Sequence, residues 1–513
     1  MATHQSLVLG FFIAIGLVVG VCEERFEVTS AQQLIKLLNI SEANNFDANI
    51  VLLDDLDFSD SALTLPFGAS SDGSCVSYTG VFEGNGHTIK GLVMNNMDNQ
   101  DCPAAGLFCM LENAIFENLV IDSSCSFVGI SVGALSVSST GSLNVTNVTN
   151  KADVHGENGV GGFVGAINGF NNEIEMTFKD CVNDGNITGS GYIGGFVGGI
   201  INTLNLMMTI SNCTNNGNCT ILSDSRYVGG FVGAISQCSN MTINIYSIVN
   251  NGAITGGSNV GGFVGHLSVG TNMTMIISNS MNTGEISGKS SAGGFVSSIS
   301  TGSGAESVLF GIINSVNKGS VSAEAYACGM FHIEYNTDLD VLTAIHNSIN
   351  KGSVSAETYA YGIANTVRAA NNVVSMGEIA ASSDSFTFWE SSTDVDLFFG
   401  LDGKCVNCTE NTTLFVHNTN TGFYEVGSGE HVHDLLNAEV EKQNYGIFWT
   451  KELDLVDQLV EPSPSPSPLP SPSLFSPSPS SQSGGLSGGN KHGVSLFWIG
   501  VVVALAAHVA MAQ

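Results

Sequence analysis

Short apolar runs with a period of two dominate the middle of the chain. Residues 173–178 (EIEMTF) and 241–246 (MTINIY) place an apolar side chain at every second position, the pattern of a half-buried β-strand. Gly and Asn, which tolerate the backbone conformations of tight turns, separate these runs. Pro is nearly absent among them. The pattern therefore predicts many short β-strands.

A five-residue phrase recurs through this region. The string GGFVG starts at Gly161 and returns three times, and GGFVS follows once more. Its phenylalanines are Phe163, Phe196, Phe231, Phe263 and Phe295. Their separations of 33, 35, 32 and 32 residues define a repeat of about 33 residues.

An asparagine series keeps the same period as the phenylalanines. Most of its members begin an N-x-G-x-[IV] phrase, such as NDGNI or NKGSV. The series consists of Asn150, Asn183, Asn215, Asn250, Asn282, Asn317 and Asn350. Because two independent markers share one period, the repeat is a structural unit.

A stack of repeats explains both series. One repeat cannot bury its apolar face alone, but repeats stacked about 4.8 Å apart place Phe on Phe and Asn on Asn. The phenylalanines would form a core column, and the asparagine amides would hydrogen-bond along the stack at a turn. We predict an all-β fold, a right-handed parallel β-helix (β-solenoid) of about 33-residue repeats with N- and C-terminal caps. The alternative is a β-propeller, whose blades usually need four strands and about 40 residues.

The repeat also resembles a known family. Residues 191–200 (GYIGGFVGGI), followed by N-x-G-x-I, resemble the GLUG repeat of bacterial surface proteins, and residues 80–91 and 105–108 are similar to the start of many β-helix adhesins. The likeness covers residues 80–380, with added segments such as residues 168–176 that form either an extra strand or long loops. It implies a surface-exposed β-helix, commonly an adhesin or wall-attached protein, whose repeat carries no enzymatic residues.

Both ends of a solenoid need caps, because open sheet edges aggregate. Residues 31–39 show helical periodicity with Ser30 as the N-cap, and residues 50–58 predict a strand. The repeat is lost over residues 381–460, which we expect to form the C-terminal cap.

The two ends of the chain predict secretion and a lipid anchor. Residues 7–21 are an apolar stretch of signal-peptide length, shorter than the ~20 residues of a membrane span. At the other end, small residues around Ser483, a short spacer and the apolar run 494–511 match a glycosylphosphatidylinositol (GPI) signal with Ser483 as the attachment residue. The alternative is a single C-terminal transmembrane helix, which Lys or Arg would usually follow. Either anchor places the protein on the extracellular face of the plasma membrane.

A Ser/Pro-rich segment lies upstream of the predicted anchor. Residues 462–480 hold eight of the ten prolines, and alternating Ser-Pro favours a stiff, extended stalk. The predicted domains are a signal peptide (1–22), an N-terminal cap (23–79), the solenoid (80–380), a C-terminal cap region (381–460), the stalk (461–482) and the GPI signal with its removed tail (483–513).

The composition of the chain argues against nucleic acid as a partner and against a disordered acidic tail. The chain has 46 Asp plus Glu against 14 Lys plus Arg, a formal net charge of −32, yet it is 43% hydrophobic. Such a polyanion does not bind nucleic acid by counterion release, and a disordered acidic tail would be poorer in apolar residues. Sequons predict N-glycosylation at Asn39, Asn144, Asn147, Asn186, Asn212, Asn218, Asn240, Asn272, Asn407 and Asn411.

Twelve cysteines, scattered singly, suit an oxidising compartment. Several pairs are close in sequence or occupy equivalent places in adjacent repeats, although connectivity stays open at this point. The candidate pairs are Cys75 with Cys102, Cys109 with Cys125, Cys181 with Cys213, and Cys405 with Cys408.

Two groups of residues resemble metal sites, and a simpler explanation fits each better. The acidic residues within 54–60 could bind calcium, but the GGxGxD phrase of calcium β-rolls is absent, so solvated turn carboxylates are expected. Cys405 and Cys408 with His431 and His433 lack the His spacing of a zinc site, and a disulfide with surface histidines is expected. We predict no cofactor.

These observations predict an N-glycosylated, GPI-anchored β-solenoid that acts as an adhesin or surface-coat protein. Its expected partners are the membrane, through the lipid anchor, and a glycan or protein ligand on another cell or matrix. The alternative is a surface polysaccharide lyase or glycoside hydrolase on the same scaffold, which needs paired carboxylates or a basic residue near an acid. The repeats hold Arg only at Arg226 and Arg368, and His155 and His266 stand alone, so we expect no enzymatic activity. A passive glycan-bearing shield fits equally well.

Overall fold

Parallel strands from successive turns stack along the chain to form a β-solenoid, which confirms the predicted fold class. The computed structural model describes residues 25–39, 46–61, 63–169, 173–221, 227–301, 307–334, 341–365, 369–375, 379–381, 384–386, 394–395, 398–400, 415–418 and 422–425. Because each strand pairs in parallel with its equivalent one turn away, the arrangement is not that of a β-propeller.

Each complete turn contributes strands to four sheets, taken here in chain order. Sheet 1 contains Arg25–Val28, Asn49–Leu52, Leu56–Asp57, Val81–Glu83, Thr88–Lys90, Ala114–Ile121, Leu143–Asn150, Ile174–Lys179, Val182–Asn183, Leu206–Ser211, Thr214–Asn215, Met241–Tyr246, Val249–Asn250, Met273–Ser278, Met281–Asn282, Val308–Ile313, Val316–Asn317, Val341–Asn350, Ala369–Ser375, Asp394–Val395, Phe398–Gly400, Phe415–Asn418 and Gly422–Glu425. Sheet 2 contains Val93–Asn95, Ser126–Gly129, Asp153–Gly156, Ile187–Gly189, Cys219–Ile221, Ile254–Thr255, Ile286–Gly288, Val321–Ala323, Val354–Ala356 and Ile379–Ala381.

The other two sheets flank the GGFVG bend. Sheet 3 contains Ala104–Ala105, Ser131–Gly133, Gly159–Gly161, Tyr192–Gly194, Tyr227–Gly229, Asn259–Gly261, Ser291–Gly293, Tyr326–Cys328, Tyr359–Tyr361 and Asp384–Phe386. Sheet 4 contains Ser77–Tyr78, Phe108–Leu111, Ser136–Ser139, Val164–Asn168, Val197–Ile201, Val232–Cys238, Val264–Val269, Val296–Thr301 and Phe331–Ile333.

The phenylalanines of the repeat form a column inside the solenoid. All five are fully buried, and the ring centroids of successive members lie 4.8, 4.7, 5.7 and 4.6 Å apart. Their interplanar angles range from 28° to 89°, so the rings pack in both stacked and edge-on arrangements. The column provides the continuous apolar core that no single repeat could bury.

The asparagine series forms a second buried column, at the corner after sheet 1. Each side-chain amide nitrogen donates twice: to the carbonyl oxygen two residues later, and to Oδ1 of the asparagine one turn on. The inter-turn distances along the column, from Asn150 to Asn350, are 2.9, 2.8, 2.8, 2.7, 2.7 and 2.8 Å. The last donor, Asn350, reaches Ser375 Oγ at 3.4 Å. Since every amide points the same way along the stack, each hydrogen bond polarises the next.

Glycine makes room for this asparagine column. A Cβ at Gly262, the second glycine of its GGFVG phrase, would collide with the carbonyl oxygen of Gly294 one turn away and lie 3.0 Å from Cγ of Asn282. A Cβ at Gly284, the glycine of the N-x-G phrase, would collide with the carbonyl of Gly252. Both glycines are therefore required for close approach rather than for positive φ.

Outside the core, several acidic side chains stack on amides rather than on other acids. Asn212 Nδ2 donates to Asp180 Oδ1 at 3.1 Å, and Asn216 Nδ2 donates to Asp184 Oδ1 at 2.8 Å, in each case across one turn. Like charges directly opposite each other in a parallel ladder would repel. Placing an asparagine next to the aspartate in such columns lowers the cost of the chain's acidity.

Strands of the N-terminal region, which was predicted to form a cap over residues 23–79, pair with the strands of the solenoid. The helix Ala31–Leu37 begins at Ser30, whose Oγ accepts a hydrogen bond from Gln33 N at 3.3 Å. The strand Arg25–Val28 pairs in parallel with Asn49–Leu52, which in turn pairs with Val81–Glu83. The segment assigned as a separate cap therefore already forms solenoid turns, whose strands lack the two repeat markers.

The added residues of the long repeats lie in the connection from sheet 4 to sheet 1. Ile167 pairs with Ser139 and Met176 pairs with Leu143 of the shorter preceding turn, so the longer turn has five more residues between these two positions. The strand Ile174–Lys179 that follows is the equivalent of the first half of Leu143–Asn150, and it pairs with Leu206–Ser211 of the next turn. At the C-terminal end, Phe398–Gly400 pairs antiparallel with Phe415–Asn418, which pairs antiparallel with Gly422–Glu425. In the described part of the chain, no helix has the length and apolarity needed to cross a bilayer.

Replacement of one ladder asparagine tests this account of the fold. Asn250→Leu removes the hydrogen bonds of Asn250 Nδ2 to Gly252 O and Asn282 Oδ1, and the one that Oδ1 accepts from Asn215. We expect the free energy of unfolding to fall by about 2–4 kcal/mol, because three buried hydrogen bonds are lost and Asn282 Oδ1 is left unsatisfied. Chemical denaturation measures the change.

The matched control is the neighbouring residue. Asn251→Leu also removes an inter-turn amide contact, Asn251 Nδ2 to Asn216 Oδ1 at 2.8 Å, but in an exposed position. Its effect should stay within about 0.5 kcal/mol. Equal destabilisation by both variants would show that burial of the ladder is not what matters.

Candidate functional site

Aromatic and histidine rings line the outer corner where sheets 3 and 4 meet. The first strand residue in sheet 3 occupies the same outward position in each turn, as in the register Tyr227, Asn259, Ser291, Tyr326 and Tyr359. Seven residues after this sheet 3 position, sheet 4 holds a second set of register partners. These are Gly199, Ala234, His266 and Ser298 in successive turns. The ring column, as named here, comprises Tyr192, Tyr227, His266, Tyr326, His332 and Tyr359.

The ring column consists of two separate stacks. In the first, Tyr192 and Tyr227 lie 5.8 Å apart at 19°, and Tyr227 and His266 lie 4.3 Å apart at 16°. In the second, Tyr326 contacts His332 at 4.7 Å and 20°, and Tyr359 at 5.3 Å and 13°. Nearly parallel rings at these distances form flat stacks along the solenoid axis.

Small residues on sheet 4 make the first stack fit. A Cβ at Gly199 would lie 3.4 Å from the ring of Tyr192, which is an ordinary van der Waals contact, so a residue as small as alanine also fits against that ring. Gly199 pairs with Ala234, and Ala234 pairs with His266 in the following turn. In the turns of Tyr192 and Tyr227 the ring is thus carried by sheet 3 while sheet 4 offers a small residue. The turn of Tyr326 differs, because it also carries the His332 ring on sheet 4.

One turn between the two stacks has no ring residue of its own on either sheet, although the imidazole of His332 from the next turn contacts it. It holds Ser291 on sheet 3, in register with Asn259 and Tyr326, and Ser298 on sheet 4, in register with His266. Ser291 Oγ donates to Ser297 O at 2.9 Å and lies 3.3 Å from His332 Nδ1. We call this turn the serine turn.

The serine turn contains unsatisfied polar atoms. Ser298 Oγ and His266 Nδ1 are buried and have no hydrogen-bond partner among the described residues. The other nitrogen of that imidazole, Nε2, lies 3.4 Å from Ser300 Oγ. Buried polar groups are almost always paired in folded proteins, so two orphans at one place are an unusual feature.

A single carboxylate connects the two stacks. Glu334 Oε1 accepts a hydrogen bond from Asn259 Nδ2 at 3.5 Å, two turns away, although the Glu334 side chain itself is exposed. His266 and His332 are only 7% and 5% exposed, and burial lowers the pKa of His266 and lowers the pKa of His332 to about 4, while the charge of Glu334 opposes both shifts. Both imidazoles are therefore neutral hydrogen-bonding groups at physiological pH.

His266 is thus not the isolated residue that the sequence suggested. It stacks on Tyr227 from the preceding turn and lies one turn from Ser298. A signal was present, because aligning the repeats on GGFVG places Tyr192, Tyr227 and Tyr326 at the same offset before the bend.

The structure corrects two of the candidate disulfides. Cys75 pairs with Cys109, not with Cys102, and the Cα atoms lie 5.8 Å apart. The 34-residue separation is about one turn, and Cys109 N donates to Phe67 O at 2.8 Å, so the loop before Cys75 lies against the strand of Cys109. Cys102 and Cys125 are buried and free.

Cys181 and Cys213 meet in adjacent turns without a disulfide. Cys181 N donates to Cys213 Sγ at 3.5 Å, and each thiol donates to a backbone carbonyl. Burial raises the pKa of Cys213, raises that of Cys125 to about 11 and raises that of Cys219 to about 12. Such thiols are protonated and poorly reactive, whereas Cys405 and Cys408 lie outside the described residues.

The predicted glycosylation residues in the described chain lie on or beside sheets 1 and 2. None of them is buried, and those at the surface corners include Asn147, Asn212 and Asn240. The full set with described positions is Asn39, Asn144, Asn147, Asn186, Asn212, Asn218, Asn240 and Asn272. Asn407, Asn411 and the attachment residue Ser483 lie outside the described residues.

The acidic cluster near the N-terminus is engaged by backbone and basic groups. Asp55 accepts a hydrogen bond from Thr88 N at 3.0 Å and lies 3.5 Å from Lys90 Nζ. Asp57 accepts one from Ser59 N at 2.9 Å, and its hydrogen bonds with Ser59 lower its pKa. No group of three or more His, Cys, Asp or Glu in the described ranges is placed to hold a metal ion.

Comparisons with known proteins give little guidance. No protein-family model matches the chain, and no curated protein sequence matches it either. Among solved structures, a candidate immunoglobulin A1 protease from Bacteroides ovatus is similar over 50% of this chain and 77% of its own, with 14% sequence identity and a TM-score of 0.36. A likeness at that TM-score carries no argument about fold or activity.

The buried histidines make stability depend on pH. The unfolded chain takes up a proton at His332 near pH 6.5, whereas the folded chain does so only near pH 4. The contribution of neutral His332 to the free energy of unfolding is therefore fully present above about pH 6.5, and it is lost as the pH drops towards 4. We expect His332 to account for a loss of about 2–3 kcal/mol over this range, measured by denaturation at a series of pH values.

His332→Gln isolates this contribution. The variant cannot take up the proton, so its stability should depend less steeply on pH between 6.5 and 4.5. The carboxylates with lowered pKa values, Asp57, Asp72 and Asp122, are the same in both proteins and cancel in the difference. An unchanged slope in the variant would contradict the assignment.

Proposed function

We propose that this protein is a GPI-anchored, N-glycosylated cell-surface adhesin that binds its ligand along the ring column. The observation that supports ligand binding is the pair of ring stacks, Tyr192 to His266 and Tyr326 to Tyr359, on the outside of the solenoid. The four tyrosines are half-buried, and partly accessible aromatic rings with a few oriented polar groups are the composition of recognition surfaces.

The distribution of sequons supports the same proposal. The sequons of the described residues lie on sheets 1 and 2, at their corners or in the N-terminal region, whereas the ring column lies between sheets 3 and 4. Glycans attached at those asparagines would cover one side of the solenoid and leave the ring column accessible. A passive shield would have no need for a face free of sequons.

The chemistry of the ring column favours binding over hydrolysis. Glu334 lies beside the column and contacts Asn259, and Asp384 occupies the register position after Tyr359, about two turns from Glu334. Hydrolysis of a glycosidic bond generally uses two carboxyl groups flanking that bond. The ring column as described supplies stacking surfaces and hydrogen-bonding groups, which suit recognition.

The anchor part of the proposal rests on the ends of the sequence. The Ser/Pro-rich stalk, the small residues near Ser483 and the apolar run 494–511 together suit attachment through a lipid and display away from the membrane. The acidic solenoid would then stand clear of an anionic membrane surface.

Phosphatidylinositol-specific phospholipase C tests the anchor. Treatment of cells that express the full-length chain should release most of the protein into the medium, because the enzyme cleaves the lipid from a GPI-linked protein. Immunoblotting of medium and cell pellet measures the release. Retention of the protein on cells that release another GPI-linked protein would instead support the transmembrane alternative.

Substitutions in the ring column test adhesion. Tyr227→Ala combined with Tyr326→Ala removes the central ring of each stack, and adhesion of cells displaying the full-length chain should fall at least fivefold. The matched control is Tyr246→Ala, which removes a tyrosine that is 40% exposed on sheet 1.

Flow-cytometric counting of adherent cells, at equal surface expression, measures this effect. Adhesion that is the same for the ring-column variant and the wild type would contradict the role of the column. Wild-type adhesion no greater than that of untransfected cells would contradict the adhesin proposal itself.

A further inference from the structure

We propose that the outer face of sheet 1 carries a docking site centred on Gly311, and that the aromatic segment 445–449 (YGIFW) of the same chain binds there. This face is separate from the ring column, so the inference does not rest on the proposed ligand-binding surface. It gives the predicted C-terminal cap region a specific contact on the solenoid.

The outer face of sheet 1 changes from polar to apolar along the stack. Early in the stack, the outward side chains of one strand include the charged Glu175 and Lys179. Four turns later, their register partners are Leu309 and Ile313. Over three consecutive strands within residues 273–346, the outward positions hold no Asp, Glu, Lys or Arg. This part of the face is an uncharged apolar patch on a chain with a formal net charge of −32.

Gly311 lies at the centre of this patch and forms the floor of a shallow pit. Its register partners on the two neighbouring strands are Ile276 and Ala344. Leu309 and Ile313 lie two residues away on its own strand and therefore point to the same side of the sheet. The side chains of Ile276, Leu309 and Ile313 are half-buried, so they form walls around a position without a side chain. We call this feature the Gly311 pit.

The fold itself does not require a glycine at residue 311. Its φ is not in the left-handed region, and the nearest described atom to an added Cβ would be Ala344 O at 3.9 Å. Gly262 and Gly284 differ, because a Cβ at either would collide with a carbonyl oxygen one turn away. A glycine inside a strand weakens the strand, and it often marks a place where another group approaches closely. The Gly311 pit therefore indicates an occupant on the outside of the sheet.

The size of the patch favours a short segment over a second copy of the chain. Three strands about 4.8 Å apart span about 14 Å, and the six residues of Val308–Ile313 extend for about 20 Å. The resulting area of roughly 300 Å² is well below the ~800 Å² that each partner contributes to a stable complex. A second copy would also bring a formal charge of −32 against an equal charge. A few aromatic and aliphatic side chains are enough to cover the patch.

The segment 445–449 matches the patch in chemistry and in reach. It belongs to the longest uncharged stretch between the last described strand and the Ser/Pro-rich stalk, residues 443–450. Glu425, the last described residue, lies five strand positions along sheet 1 from Val308–Ile313, a distance of about 24 Å. The 20 residues from Glu425 to Tyr445 reach up to about 66 Å when extended. The segment can therefore reach the Gly311 pit.

Gly311→Ile tests the docking by filling the pit. A β-branched side chain suits a strand, and residue 276 of the neighbouring strand already carries one, so we expect the variant to fold. Chymotrypsin cleaves after aromatic residues, and docking protects those of the segment 445–449. We expect cleavage in this segment to be at least tenfold faster in Gly311→Ile than in the wild type. The full-length protein is reconstituted into lipid vesicles, and mass spectrometry of the products gives the rates.

Three further variants serve as controls. Thr209→Ile adds the same side chain to the same column three turns earlier, outside the pit, and should be cleaved like the wild type. Gly311→Ala fills less of the pit and should give a smaller increase, and it decides the matter if Gly311→Ile has a lowered melting temperature. Ile447→Asn weakens the other side of the contact. Its rate, normalised to that of the unfolded variant, should rise, and adding Gly311→Ile should raise it no further, because both changes break one contact.

The outcomes distinguish the possible occupants. Faster cleavage in the Gly311 variants and in Ile447→Asn, without additivity, supports docking of the segment. Equal rates in the wild type and in correctly folded Gly311 variants overturn it, as do additive effects of Gly311→Ile and Ile447→Asn. Chemical cross-links between copies of the wild type that Gly311→Ile abolishes would overturn it in favour of a second copy of the chain in the pit.

Discussion

The buried asparagine column is the constraint on which the solenoid depends. An amide that donates to its own turn and to the next turn is satisfied only if successive turns stack in register. If the register between turns slipped by one residue, the buried amides would lose their partners along the stack. Each unpaired amide would lower the free energy of unfolding. The column therefore fixes register, whereas the phenylalanine column mainly supplies apolar burial, which tolerates several ring orientations.

The same constraint explains why the two sequence markers keep one period. The second glycine of GGFVG lies against the asparagine of the following turn, as Gly262 does against Asn282, so the space for the amide exists only where a side chain is missing. An insertion that moved one marker relative to the other would separate the amide from its space. Additional residues are accommodated instead in the connection from sheet 4 to sheet 1, between Ile167 and Met176, away from that corner.

The buried columns of this protein are easier to predict from the sequence than its surface. The Phe and Asn periods were sufficient to predict a solenoid, because buried columns admit few residue types and so repeat visibly. The pairing of Cys75 with Cys109 was missed, since it depends on how the irregular segment 59–76 runs past the next turn. The ring column was missed because its members come from both sheets, with the tyrosines on sheet 3 and the histidines on sheet 4, so that His266 has no ring at the same offset in the neighbouring repeats.

This difference between interior and surface bears on what the serine turn means. A column inside the core has to be uniform, because one missing side chain would leave a cavity and one unpaired polar side chain would lower stability. The outer corner of sheets 3 and 4 is less uniform, since the register position of Tyr227 is taken by Asn259 in the next turn and by Ser291 in the one after. Rings nevertheless occur on both sides of Ser291 and Ser298, and the orphaned atoms Ser298 Oγ and His266 Nδ1 lie at the interruption itself. An unsatisfied polar group costs stability, and the fold could have removed this cost with alanine at residue 298. The corner of sheets 3 and 4 therefore carries a local cost that the buried Phe and Asn columns avoid, since no described residue pairs with either orphaned atom.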